Sequence, residues 1–128
     1  MKNLNYIGRI LLALPFVLFG INHFIMYDVF IGMLSSFIPN SVYLIFLTGA
    51  LMIISGIAII INKQVLLFCY VLAGLLLTFI LTIHIPGLIE NKENVHMVWF
   101  ALLKDIGLLG GLLIIISMEM KNKKELDK

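Results

Sequence analysis

The sequence predicts an all-α membrane protein, a bundle of four transmembrane helices, from three observations. Hydrophobic residues fill 62% of the 128 positions and charged residues only 12%, whereas soluble domains carry about half and about a quarter. Mean hydropathy is +1.12. Four apolar runs, about 6–26, 42–61, 65–85 and 98–118, each supply the roughly 20 residues that a helix needs to cross a hydrocarbon core about 30 Å thick. None alternates polar and apolar residues with period two, and each is about twice the length of a spanning strand, so a barrel is excluded. The runs take up most of residues 1–128, which therefore form one transmembrane domain, and any soluble enzymatic activity would come from a partner.

The first run opens on Arg9 and closes on Asn22, His23 and Phe24. On a helix turning about 100° per residue, Arg9, Ala13, Phe16, Gly20 and His23 share one stripe roughly 80° wide. Arginine is costly in hydrocarbon, so this stripe turns toward protein, water or a headgroup. Ala13 and Gly20 on the same face admit a close neighbouring helix. A cleaved signal peptide is not expected, because no small-residue A-x-A pair follows the apolar core.

The first connection, about 28–41, holds Val29, Phe30, Ile31, Met33, Leu34, Phe37 and Ile38 interspersed with Gly32, Ser35 and Ser36. It is too apolar for a simple loop and is expected to be a short helix or hairpin in the interface, or folded over the mouth of the bundle. Pro39, Asn40 and Ser41 end it and cap the second span. That span carries only Thr48 and Ser55 as weak polar groups, with Gly49 and Gly56 one heptad apart, a pattern suited to helix contact. Asn62 and Lys63 make a very tight turn, so spans two and three are antiparallel neighbours. In span three, Gly74, Thr78 and Thr82 follow at i, i+4, a spacing at which threonines bond their own backbone or a neighbouring helix. His84 and Pro86 are expected to close that span.

Span four holds the most expensive residues, Lys104 and Asp105, about 10 Å into the run at 1.5 Å per residue. Gly107 and Gly111 follow within about 60° of Lys104 on the helix wheel, which would point Lys104 into a close helix contact and could also mediate a homo-oligomer. Asp105 is short and, if ionised, needs a partner.

Lys2, Arg9, Lys63, Lys121, Lys123, Lys124 and Lys128 all fall on one side of the predicted topology, while the first connection has no Lys or Arg and Lys92 in the third is balanced by Glu90 and Glu93. The bias of basic residues toward cytoplasmic loops places both termini inside, in a cell (inner) membrane. A formal charge of +2 is too small to argue for nucleic acid. Cys69 is the only cysteine, so there is no internal disulfide and no dithiol redox pair.

With both termini inside, His23, His84 and His96 all fall in the outer half of the bundle, and Asn22, Thr82, Lys104 and Asp105 reach similar depth. Three histidines and a carboxylate are metal-type donors, but no pair has the i, i+4 spacing of half a site on one helix, and no metal is assigned. Histidine titrates near neutrality, as a proton relay or a carbonyl donor requires. The candidate catalytic residues are therefore His23, Lys104 and Asp105, and the candidate ligand-contacting residues are Arg9, Phe16, Asn22, Thr82, His84 and Phe100. Trp99 is read as an interfacial anchor. Such a set suits a quinone headgroup, a flat ring with two carbonyls and a proton path to water.

The same residues carry a family likeness. The Arg-led first helix with Gly20, Asn22, His23 and Phe24, the second span entered through Pro39 with Thr48 and Gly49, the His84, Pro86, Gly87 close of the third, and the segment from Lys104 to Gly111 together resemble the DoxX family of small four-helix bacterial membrane proteins. The resemblance covers nearly the whole chain. It implies a compact four-helix domain, and in some members a membrane subunit of a quinone-reducing oxidoreductase. For this chain it implies a noncovalent quinone, membrane lipid contacts and an oxidoreductase partner, soluble or membrane-bound. Other members resemble chaperones or cargo receptors, so a non-enzymatic binding or assembly module is the alternative. Many members have an acidic residue in the second span. This chain has only Thr48 and Ser55 there, which leaves Asp105 as the one acid well inside a span.

Overall fold

The computed structural model describes residues 2–34, 37–90 and 95–128. Ser35, Ser36, Lys92 and Glu93, which enter the reading of the two connections, lie outside them. The described residues are helical almost throughout: α1 (Lys2–Ile25), α2 (Tyr27–Gly32), α3 (Val42–Ile60), α4 (Val65–Phe79), a π-helical turn (Ile80–His84), α5 (Ile85–Glu90) and α6 (Val95–Leu126). Four continuous helices, Lys2–Ile25, Val42–Ile60, Val65–Glu90 and Val95–Leu126, are long and apolar enough to cross a membrane. Leu11, Leu18, Leu47, Leu67, Leu81 and Ile114 are exposed on their outer faces. So much contiguous apolar surface is at home only against lipid, and the chain is a multi-pass membrane protein.

The third span does not close at His84 and Pro86 as its sequence suggests. The Ile85 amide donates to the Ile80 carbonyl, five residues back, and the chain continues helically through Pro86 to Glu90. Proline removes an amide and crowds the preceding turn, and here the widened π turn lies directly before it, which lets the helix run on.

α1 packs chiefly on α3, α3 lies beside α4, and α4 packs on α6. The α1–α3 seam is closed by glycines. A Cβ built on Gly20 would lie 2.7 Å from the Gly49 carbonyl oxygen, one on Gly49 would lie 2.7 Å from His23 Cβ, and one on Gly56 would lie 3.1 Å from the Ala13 carbonyl oxygen. The backbones therefore touch, as small residues permit between helices in lipid. Gly56 is buried in that seam, and Ser55 beside it in sequence is buried too.

The core lies toward the end of the bundle that holds Arg9, where Ala13, Ile59, Val65, Cys69, Leu72 and Leu112 interlock. At that end Arg9 Nη1 donates to Asn62 Oδ1 at 2.5 Å and approaches Glu119 Oε1 at 3.5 Å. These contacts tie the start of α1, the α3–α4 turn and the later half of α6 together, and give Arg9 partners within the protein. The turn itself is tight enough to force Asn62 (φ 61) and Gln64 (φ 45) into the left-handed region. Asparagine tolerates this conformation and glutamine does so poorly. Gln64→Gly is expected to stabilise the bundle by up to about 1 kcal/mol, read as a higher midpoint when SDS unfolding in mixed micelles is followed by far-UV circular dichroism. A lowered midpoint would contradict it.

Candidate functional site

At the other end the helices do not close on one another. A cavity of about 260 Å³ opens there, a little below the roughly 300–1,000 Å³ of sites for drug-sized ligands and suited to a single ring. α1 contributes Phe16, Phe19 and His23, α3 contributes Thr48 and Met52, and α4 contributes Leu76, Thr78 and Phe79. The π turn contributes three successive residues, Thr82, Ile83 and His84. α6 contributes Ala101, Lys104, Asp105 and Leu108. Across the top lie Phe30, Met33, Leu34 and Ile38, so the apolar first connection covers the mouth of the bundle.

The polar groups are few and tightly organised. Asp105 is buried on α6, with Oδ2 2.7 Å from His84 Nε2 and Oδ1 3.3 Å from Lys104 Nζ. His84 is 7% exposed, and its Nδ1 is buried with no hydrogen-bond partner among the described residues. The Lys104 side chain is 42% exposed, and its ammonium stands 3.9 Å from the centre of the Phe19 ring, a favourable position for a cation over an aromatic face. Lys104 thus opens into the cavity instead of into a close helix contact. A Cβ on Gly107 would meet nothing within 4 Å, and one on Gly111 would come nearest to the tip of the Leu12 side chain.

His23 faces the same space from α1. Its Nδ1 donates to the Phe19 carbonyl at 2.7 Å, and its ring stacks on Phe30, with centroids 4.1 Å apart and planes 17° from parallel. This stack fixes the ring and pins α2 over the cavity. Thr78 and Thr82 do as their spacing suggests, donating to the carbonyls of Gly74 and Thr78, and Thr48 donates to the Ile45 carbonyl of its own helix.

Of the residues singled out from the sequence, Phe16, His23, Thr82, His84, Lys104 and Asp105 line this one cavity. Arg9, Asn22 and Phe100 are not among its lining residues. Arg9 lies fourteen positions before His23, roughly 21 Å along the helix at 1.5 Å per residue, and is held by Asn62 and Glu119. Asn22 sits half-buried beside the inward stripe, and Phe100 is 69% exposed. His96 and Trp99 are also exposed, on the outward side of α6. Among the described residues no group of three or more His, Cys, Asp and Glu side chains is placed to hold a metal ion.

Two features escape the sequence. Phe19 carries both the lysine contact and the carbonyl that receives His23, and its position four residues before His23 is the signal for it. The pairing of His84 with Asp105 depends on how α4 and α6 are phased, which no spacing within either run reveals. Compared with models of known families, with curated proteins and with solved structures, the chain has no match.

Proposed function

We propose that this protein binds a flat lipophilic ring compound of quinone type in the cavity between α1, α3, α4 and α6, and acts as the membrane component of a redox system in the manner of the DoxX family it resembles. The observation that carries the reading is a buried Asp105–His84 pair with the Lys104 ammonium beside it, opening into an otherwise apolar cavity the size of one ring. A buried ion cluster in lipid is expensive and marks a functional site by default. Phe16, Phe19 and Phe79 supply ring walls, Lys104 supplies positive charge beside developing negative oxygen, and the two histidines supply proton-handling nitrogens. Electrons come from a partner or from a reduced molecule in the cavity, since the sequence provides no carrier of its own.

Arg9, Lys63 and the basic tail from Lys121 onward share the end of the bundle away from the cavity. Basic residues favour the cytoplasmic side, which supports an inner-membrane protein with both termini inside and the cavity under the outer leaflet. The test is mass spectrometry of an organic extract from the protein purified in mild detergent. A discrete aromatic lipophile is expected, lost from Ala101→Phe, which fills the cavity with its helices intact by circular dichroism. Bulk phospholipid alone in both samples would overturn the reading.

A second reading, a non-enzymatic assembly module, draws on the open space beside Gly107 and Gly110 on α6, where another helix could approach. It predicts no discrete lipophile and concentration-dependent cross-linking through Gly107→Cys.

A further inference from the structure

The walls of the cavity are not all joined alike. At its level α1 and α3 touch through Gly20 and Gly49, the π turn is tied to α6 by His84 and Asp105, and α6 reaches α1 through the Lys104 ammonium over the Phe19 ring. The remaining seam, between α3 and α4, is fastened at its far end, by the tight turn through Asn62 and Gln64. Its edges can be followed along both helices. On α3 the side turned to α1 carries Phe46, stacked on Phe24, and Gly49, next to His23. On the helix wheel Ala58, Ser55, Thr48 and Leu44 fall on the other side of the inward-facing Ile45 and Met52. Ala58 and Ser55, near the turn, are buried, Thr48 is half-buried, and Leu44, farthest from the turn, is 42% exposed. On α4 the side turned to α6 is marked by Tyr70, whose hydroxyl meets Met120 Sδ. Phe68, Leu75 and Thr78 fall on the other side, and here too the residue farthest from the turn, Thr78, is the exposed one.

Leu44 and Thr78 also line the cavity. A residue that lines a cavity and is exposed at once stands on its rim, so the seam widens away from its turn until the cavity opens sideways, toward the lipid chains. Met33 and Lys104 are exposed lining residues as well, but Met33 belongs to the connection overhead, and Lys104 crosses the seam on its own side by its contact with Phe19. Thr48 and Thr78 give their hydroxyl hydrogens to carbonyls of their own helix, so the rim presents hydrocarbon without a free donor. The cavity itself, about 260 Å³, takes one ring and leaves no room for a long chain attached to it.

We infer that the α3–α4 seam is the entrance to the site, and that the ligand is a ring compound carrying a long hydrocarbon tail, with the ring inside the cavity and the tail passing out between Leu44 and Thr78 among the lipid chains. The inference rests on the lipophile-binding reading above and deepens it: the substrate class is a membrane-resident lipid with a ring head, drawn from the bilayer and returned to it without crossing water. Such a ligand loses nothing at its tail on binding, because the tail stays in hydrocarbon throughout. Only the ring exchanges lipid for protein, and it meets the one charged cluster of the cavity there, at Lys104 and Asp105.

The experiment is photolabelling of the full-length protein in phosphatidylcholine vesicles with a pair of probes, each a methyl benzoate with a decyl chain para to the ester and a diazirine either beside the ring or at the chain end. Labelled residues are located by mass spectrometry, and only labelling that falls about tenfold or more in Ala101→Phe, which overpacks the cavity, is counted. The ring-side diazirine is expected to mark lining residues such as Met52 and Leu108, and the chain-end diazirine Leu44, Leu47 and Thr78. Ring-side labelling as expected with chain-end labelling about Asn22 and Gly107, or on Met33, would overturn the α3–α4 entrance and leave the lipophile site standing. No cavity-dependent labelling by either probe would overturn both. If Ala101→Phe does not fold, Thr78→Trp serves in its place: an indole on the rim is expected to lower both labelling patterns about tenfold, whereas Ile114→Trp, on the lipid face of α6, is expected to leave them unchanged. Equal labelling in these two variants would overturn the entrance.

Discussion

Replacing His84 with phenylalanine is expected to destabilise the bundle by about 3–5 kcal/mol. Phenylalanine fills the ring's place, so little packing is lost. What is lost is the 2.7 Å hydrogen bond to a buried carboxylate, and Asp105 keeps only Lys104, whose side chain is itself 42% exposed. Removing one partner of a buried pair leaves the other charged and poorly solvated, which costs far more than the pair contributed. Replacing both partners should therefore be milder, and His84→Phe combined with Asp105→Leu is expected to recover at least half of the loss. Unfolding free energies from SDS titration in mixed micelles decide the matter. A loss below about 1 kcal/mol in the single variant would mean that the pair is not buried as described.

The second large effect is expected at Gly49. A Cβ there would lie 2.7 Å from His23 Cβ and 2.9 Å from the Gly20 carbonyl oxygen, and neither can retreat, because one is the root of a side chain and the other is backbone. Gly49→Ala must push α1 from α3, at a cost near the upper end of the about 1–3 kcal/mol typical of overpacking. The push also displaces His23, so ligand retention should fall along with stability. Gly111→Ala offers the contrast. There the clash is with the tip of the Leu12 side chain, which can rotate away, and little change is expected. Comparable losses at the two positions would show that the α1–α3 contact is looser than described.

Much of this arrangement is legible in the sequence, because lipid simplifies the rules. Four runs of sufficient length must be helices when no water is present to satisfy an open backbone, and an arginine-led stripe ending in histidine must turn inward. Ala13, Phe16, Gly20 and His23 are all buried. The first connection is half legible: Phe30, Met33 and Leu34 are too apolar for a simple loop, but the sequence leaves open whether they lie in the interface or over the mouth of the bundle, and the fold puts them along the cavity. What the sequence does not reveal is rotation about a helix axis. Asp105 evidently needs a partner, but lysine is its neighbour in the chain, whereas His84 comes from another helix, at the end of the π turn. The same ambiguity makes Phe100, one turn before Lys104, look like a wall of the site although it faces outward. Arg9 is a different case. A cation near a helix start suggests a headgroup, and only the fold brings Asn62 and Glu119 to it.

The π-helical turn at Ile80–His84 amounts to one residue of surplus chain wound into the third span. Because a widened turn winds each of its residues through less than the about 100° of an ordinary helix, it takes up that surplus and leaves the helix on either side in phase. Leu72 and Leu76 can therefore stay in the core while His84 meets Asp105 at the far end of the turn. The loss of one residue ahead of His84 within the turn is thus a change of length that this span can absorb.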